Sequence, residues 1–493
     1  NSQAGLIDLD LVQQQKVLSA GSGTEIMNDY GMHYLYAEPK DANQKLEDLR
    51  DLLLAEIEKV KRGEFEDWLL KAIITDFRIN FMRTFESNRV ANLFFESYVS
   101  GQKWEEVLAY LDELEKVTKQ DIIDFAKKNY GNNYVAIFKR TGADPNIVKV
   151  DKPKITSVSL NREGQSEFMK EFQTWKTGKL EPVFLDFARD IKKEMIKKDV
   201  ELNYIKKVGN ELFQLNYIVD MGERNNKKLA LAIDYLQFLG TSKFAPAELQ
   251  KEFYKYGLSF SVSAGDNRSY ISISGLDQYL DKAIEMMEHV ITSAVANKEA
   301  YNEYVGRILK SRADAKQDKD RILWDGMFNY AIYGNNNPFT DILSEKELLA
   351  INPEELVSLV KQMCSYKHRV FYYGPSDMAT LAAKLKKSHA TPDAMLSIPQ
   401  EKRYEEQPTS KNTVYLVDYD MVQSNVIFVS LDDKFNKSYI PFSRLFGEYF
   451  GGGLSSIVFQ EIREAKGLAY SAFAGFTTPE KPYERHQIGR AHV

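Results

Sequence analysis

The chain has 493 residues and a single cysteine, Cys364, so no internal disulfide is possible and no redox compartment is implied. Cys364 sits late in a helical pattern, "EELVSLVKQMCSYK", and reads as a buried, inert thiol rather than a nucleophile, because nothing beside it suggests a paired base. Histidine is scarce too. The six are His33, His289, His368, His389, His486 and His492, and no two of them are spaced to share one helix face as a pair of metal ligands. No apolar run approaches the eighteen or so residues needed to cross a bilayer, so this sequence offers no transmembrane segment. Neither sign of charge dominates. Lys and Arg number 65 against 71 Asp and Glu, for a net charge of −6, and the two signs are interspersed, which argues against nucleic acid or an anionic membrane as the main partner. Proline is missing from Asp41 to Ala143, which leaves helices there unbroken.

What is present is helical periodicity, strands and turn signals in an order that repeats. In "QKLEDLRDLLLAEIEKVKRG", Leu46, Leu49, Leu53, Ile57 and Val60 fall at helical spacing and Gly63 ends the run. Helices follow through "EDWLLKAIITDFRINFMRTF" and "NRVANLFFESYVSG". Thr118 is placed to cap "TKQDIIDFAKKNYG", and "NYVAIFKR" reads as a strand. Asn352, with Pro353 in the first turn, likewise caps "NPEELVSLVKQM", which leads into a second expected strand, "HRVFYYG". The two caps are 234 residues apart (352 − 118), and Gly101 and Gly334, each closing a pair of helices, are 233 apart. Two landmarks at nearly one offset point to a duplicated module of domain size.

These signals divide the chain into a helix-rich part over 1–140, a connection over 141–200, a strand-and-helix unit over 201–400, and a further unit over 401–487. The connection opens on turn-prone "TGADPN" and extended "VDKPKITSVSLNREG". "EFMKEFQTWKTGK" and "FARDIKKEMIKK" then carry both charge signs at helical spacing. In the third unit, Phe213, Leu215, Tyr217, Val219 and Met221 share one strand face. "LSFSVSAGDNRSYISISG" makes a hairpin, and Leu280, Ile284, Met287 and Ile291 stripe one helix. The last unit offers strands "NTVYLVDYD" and "SNVIFVSLD", then a helix, three glycines, a second helix, and a strand expected to begin at Tyr470. Helices laid on mixed sheets define an α+β fold. The final six residues, 488–493, spell one reading frame of a common sequencing adapter, so the natural sequence is expected to end near Gln487. The chain begins at Asn1 without a methionine or leader, which reads as a piece of a longer protein and leaves cytoplasm and cell envelope both open.

"GGGLSSIVFQEIREAKGLAYS", over 451–471, closely resembles the Gly-Gly-Gly-x-Ser-Ser…Arg-Glu-x-x-Gly-Leu-Ala-Tyr signature of the insulinase/pitrilysin metallopeptidases. "LQFLGTSKFAPAELQKEFYKYGLSFSVSAG" looks like the stretch that follows the family's zinc helix. The resemblance covers nearly the whole chain. It implies two halves of two similar α+β domains, closing like a clamshell around a peptide chamber. On that reading 1–140 is the later part of domain two, 141–200 the linker between halves, 201–400 a degenerate domain three, and 401–487 the start of domain four.

The family holds zinc with an inverted H-x-x-E-H motif and a later glutamate. Anchored on "FLGT", the matching positions here are Leu231, Asp234 and Tyr235, and the later acid falls at Arg307 or Ile308. None of these is a zinc ligand set, so the resemblance places Zn2+ in the parent protein, in an N-terminal domain outside this chain. "EMMEH", Glu285 to His289, is a near miss that reads as helix surface. The resemblance also implies that Arg463 and Tyr470 reach across to the zinc half and contact substrate at the scissile bond. The bland alternative is a cation near a helix C-terminus and a half-buried strand tyrosine. Three functions follow: the substrate-enclosing, non-zinc portion of a zinc endopeptidase; a non-catalytic peptide-binding or scaffold subunit of the same fold; or an unrelated α+β protein. The first two take a peptide as partner.

Overall fold

The computed structural model describes residues 5–27, 29–142, 146–148, 150–151, 164–176, 178–179, 181–422, 424–479 and 481–492, the side chains of 488–492 apart. The first element pair was not legible in the sequence. Strands β1 (Ser19–Ile26) and β2 (Gly31–Glu38) form an antiparallel hairpin with Ser19 opposite Glu38. Its first strand, "SAGSGTEI", is small and polar and lacks β-branched alternation. It holds because the rings of Tyr36 and Tyr34 cross over to cover Gly21 and Gly23, restoring the surface those glycines lack.

Five helices follow as the periodicity predicts: α1 (Leu46–Arg62), α2 (Asp67–Phe85), α3 (Val90–Ser100), α4 (Trp104–Leu114) and α5 (Lys119–Asn129). Gly63 and Gly101 end α1 and α3 in the left-handed conformation, at φ 71° and 66°. The Thr118 hydroxyl accepts the Asp121 N–H while the Asp121 carboxylate accepts the Thr118 N–H, a reciprocal cap on α5. The strand expected over 133–140 does not form. That segment has no strand partner, and Val135 and Ile137 stand 87% and 89% exposed.

Most of "VDKPKITSVSLNREG" lies outside the described residues. Helices α6 (Glu167–Thr174) and α7 (Phe187–Asp190) follow, and here the sequence reading needs correcting. "FARDIKKEMIKK" is helical only over α7, and Lys192–Lys197 is strand β3, so the large sheet begins inside the stretch read as a connection. Its lysines suit a solvated sheet edge, and Ile196 alone of the strand is buried. Then come β4 (Val200–Lys206), β5 (Leu212–Val219), α8 (Lys228–Leu236), α9 (Pro246–Lys255), the hairpin β6 (Ser259–Ala264) and β7 (Ser269–Leu276), α10 (Leu280–Ser293) and α11 (Lys298–Ala315). A π-helical stretch, Arg321–Met327, runs into α12 (Phe328–Tyr333), followed by α13 (Glu345–Ala350), α14 (Pro353–Gln362), β8 (His368–Gly374) and α15 (Met378–Ser388).

The six strands order as β3-β4-β8-β5-β7-β6, with β8 parallel to β4 and antiparallel to β5. Leu215, Tyr217 and Val219 of β5, Ile271 and Ile273 of β7, and Val370 and Tyr372 of β8 are fully buried against Leu280, Ile284, Met287 and Ile291 of α10. Helix α2 packs on the same unit from outside: Ile79 joins Leu212 and Leu276, and Arg83 donates to Ser274 at 3.1 Å.

An order of elements recurs here. Hairpin β1–β2 then α1 to α5 matches hairpin β6–β7 then α10, α11, the 321–333 helix, α13 and α14. Helices α1 and α10 start 234 residues apart (280 − 46), the offset of the two caps. In the second copy β8 is inserted between β4 and β5. Among the described residues, no strand pairs with 133–140.

Beyond α15 the chain straps back over the six-stranded unit. Lys402 N–H donates to the Arg224 carbonyl at 2.7 Å and Gln407 N–H to the Ile332 carbonyl at 2.7 Å. The strand expected over 412–420 does not form. Strand β9 (Ile427–Lys434), helix α16 (Ile440–Gly447), β10 (Phe476–Thr477) and β11 (Arg485–His492) make a three-stranded sheet in the order β10-β11-β9. The backbone of 488–492 continues β11, with a register shift between Ile488 and Ala491. No strand starts at Tyr470.

Candidate functional site

Helix α8 carries the positions that match the zinc motif, and packing has taken all three. Leu231 is buried and offers no lone pair. The Tyr235 hydroxyl donates to the Asn297 carbonyl and accepts the Asn297 N–H at 2.8 Å, closing the entry to α11, and its ring meets Tyr301 edge-on at 5.4 Å. Asp234 accepts from the Tyr304 hydroxyl at 3.2 Å, and burial raises its pKa. Where an acidic ligand would stand, the Arg307 guanidinium lies 4.3 Å over the Phe238 ring and 5.7 Å over Tyr304. A guanidinium in the place of an acid repels a cation, and a spent phenol and a leucine cannot replace imidazoles. These residues do not fit zinc.

The glycine-rich signature forms a second centre. A π-helical turn over Glu448–Gly452 leads to another over Phe459–Ala465, and Gly467, at φ 59°, reverses the chain. None of the glycines 451–453 has positive φ. Gly451 instead lies against the backbone of Ala474, where a Cβ would collide with both N and O. This seats Val458 on Ala472 and Ala474 in a small core of its own.

Arg463 and Tyr470 face each other. The guanidinium lies 4.5 Å from the Tyr470 ring centre and 4.7 Å from that of Phe459, with Glu464 3.5 Å from its Nε. Tyr470 is 83% exposed. The pair is therefore a cation–π stack whose half-buried arginine and solvent-facing tyrosine carry donor groups beside it. Such donors suit a carbonyl oxygen gaining negative charge. The contacts of the pair are with its own unit, and the motif-matched positions on α8 are not among them.

One cluster escaped the sequence reading altogether. His368, first residue of β8, and His389, just past α15, bring their Nε2 atoms 2.7 Å apart, and Cys364 lies beside them. Twenty-one residues separate the histidines, so no local spacing betrays them. By contrast His289 pairs with the Thr241 hydroxyl at 2.8 Å, and Glu285 with Lys282 at 3.1 Å, an ordinary helix surface.

Residues 350–483 match the family described as "Peptidase M16 inactive domain", a span that joins the end of the six-stranded unit to the signature. An uncharacterized zinc protease of Rickettsia bellii is 23% identical over 277 residues, 54% of this chain and 64% of its own, so the chain spans under two thirds of that curated relative. The crystal structure of the peptidase M16 inactive domain from Pseudomonas fluorescens aligns with a TM-score of 0.50 at 16% identity, over 62% of this chain and 74% of that one. The periplasmic protease PqqL from Escherichia coli aligns over all of this chain and 57% of its own, with a TM-score of 0.52 at 12% identity.

Proposed function

The chain belongs to the insulinase/pitrilysin family, a protease family, and on that premise we propose that it is the non-zinc, substrate-enclosing portion of a zinc-dependent endopeptidase that hydrolyses peptides inside a clamshell chamber. The observation that carries this reading is the exposed Arg463–Tyr470 stack, held in place by the Gly451–Ala474 contact but used by no core. In this reading the guanidinium and the phenol hydroxyl donate to the scissile carbonyl from the face opposite the metal. Zinc, and the base that activates water, come from a domain outside this chain. The relic on α8 supports the division of labour, because its residues are committed to packing.

The test uses the full product of the gene and a quenched fluorescent peptide. Zinc-dependent cleavage is expected from the full protein and none from this chain alone. Tyr470→Phe should lower kcat by roughly a hundredfold with KM little changed, the size expected for losing one donor to a developing oxyanion. Full activity in both Tyr470→Phe and Arg463→Ala would remove the reach-across role. A non-catalytic peptide-holding subunit is the second reading, favoured by the match of 350–483 to an inactive domain. Peptide binding without cleavage by the full protein would select it.

A further inference from the structure

Beneath the sheet lies a polar network that the peptidase reading does not use. Cys364, His368, His389 and Glu288 are 6%, 5%, 1% and 8% exposed. Glu288, on α10, takes three donors: the Tyr217 hydroxyl and His389 Nδ1 on Oε1, both at 2.7 Å, and the Ala390 N–H on Oε2 at 3.4 Å. His389 therefore spends its Nδ1 proton on a carboxylate. His368 Nδ1 lies 2.7 Å from the Tyr366 carbonyl, which only accepts, so Nδ1 carries that ring's proton. In that tautomer the ring presents its Nε2 as a bare lone pair. That lone pair faces His389 Nε2 at 2.7 Å, and two lone pairs cannot sit so close with nothing between them. Either a proton or a cation occupies the gap.

The Cys364 sulfur beside the gap favours the cation. It, His368 and His389 each offer one ligand atom, and the three atoms lie within 4.8 Å of one another. A tetrahedral zinc site has ligand atoms about 3.3–3.6 Å apart, from bonds of roughly 2.0–2.3 Å. The nitrogens need only part by about half an ångström, and the sulfur lies within 4.8 Å of both. Each histidine already has the outer partner a metal-bound imidazole needs on its far nitrogen, a carboxylate for His389 and a carbonyl for His368. Charge also balances: one divalent cation, one thiolate and the Glu288 carboxylate sum to zero in a buried site.

The geometry points to a three-ligand zinc site built from Cys364, His368 and His389, with Glu288 as the outer partner of His389. It shares no residue with the relic on α8 or with the Arg463–Tyr470 stack, and stands or falls independently of the peptidase reading. The Zn–S bond forms as Cys364 gives up its thiol proton to solvent, so binding releases acid. A bound ion ties the turn after α14 and the start of β8 to the end of α15, and through Glu288 to α10.

The experiment takes the full chain without a histidine tag, reduced and stripped of metal, and adds Co2+ as a spectroscopic probe. One equivalent should produce a thiolate-to-cobalt charge-transfer band, and one equivalent of Zn2+ should abolish the band and shield Cys364 from alkylation. Glu288→Gln should keep the band but weaken metal affinity by about 10–100-fold, whereas Cys364→Ser should lose it. A folded wild-type chain that shows no thiolate band overturns the proposal and assigns the gap to a shared proton, even if the variants fail to fold. Unchanged zinc stoichiometry in both Cys364→Ser and His389→Gln would overturn it as well.

Discussion

Residues 19–140 and 259–374 run through the same order, a hairpin, five helices and a strand-forming segment, yet they end differently. In the second copy Val370 and Tyr372 are fully buried, because β8 slots between β4 and β5. In the first, Val135 and Ile137 lie almost wholly in solvent. Both segments have the residues of a strand. Only one has neighbours to supply the ladder, and a sheet also builds the surface on which helices bury their apolar stripes. Hence α10 is buried along one whole side, while α1 buries only Leu49 and Glu56.

The largest test of this contrast is a cavity in the complete copy. Leu215→Ala or Met287→Ala should cost about 2–5 kcal/mol, read as a lower denaturation midpoint of the six-stranded unit. Next is the small signature core. Gly451→Ala drives a Cβ into the Ala474 backbone and should cost about 1–3 kcal/mol there. Faster hydrogen exchange over 450–476, with the six-stranded unit unchanged, would show that the two cores melt apart.

A pH series probes the strap between them. Burial works to raise the Asp341 pKa, but Lys227, Lys402 and Tyr404 outweigh it and hold the carboxyl well below its usual value of 3.8. The folded pKa is depressed, so this stabilisation is present above about pH 4 and drains away as pH falls below that. Asp341→Asn should lower stability by about 1–2 kcal/mol at pH 7 and flatten its decline below pH 4, measured by thermal melting across that range. The smallest effect belongs to the incomplete copy. Val135→Thr and Ile137→Thr should each change stability by no more than about 0.5 kcal/mol. A loss of 2 kcal/mol at either site would mean that the segment is paired in solution.

Legibility followed the range of the forces. Thr118, Asn352 and Gly63 announced helix ends because a cap is satisfied within three residues of itself. The face of Phe213 to Met221 and the stripe of α10 were readable because periodicity is set by the backbone. The β1–β2 hairpin was missed because Gly21 and Gly23 borrow their cover from tyrosines across the turn. Strand β3 was missed because an edge strand rich in lysine looks like a solvated helix. The signature pair was legible only by its resemblance to a family, and its stacking was not foreseen.

The sequence by itself determined where most of the helices lie and stop, and the α+β class, since capping chemistry and local spacing suffice for these. Tertiary structure alone decided which strand-forming segments become strands, and that Cys364, His368, His389 and Glu288 converge. Those outcomes depend on where β8 and α15 lie against β5 and α10, and contacts between residues 21 and 101 apart in the chain leave no periodic trace in it.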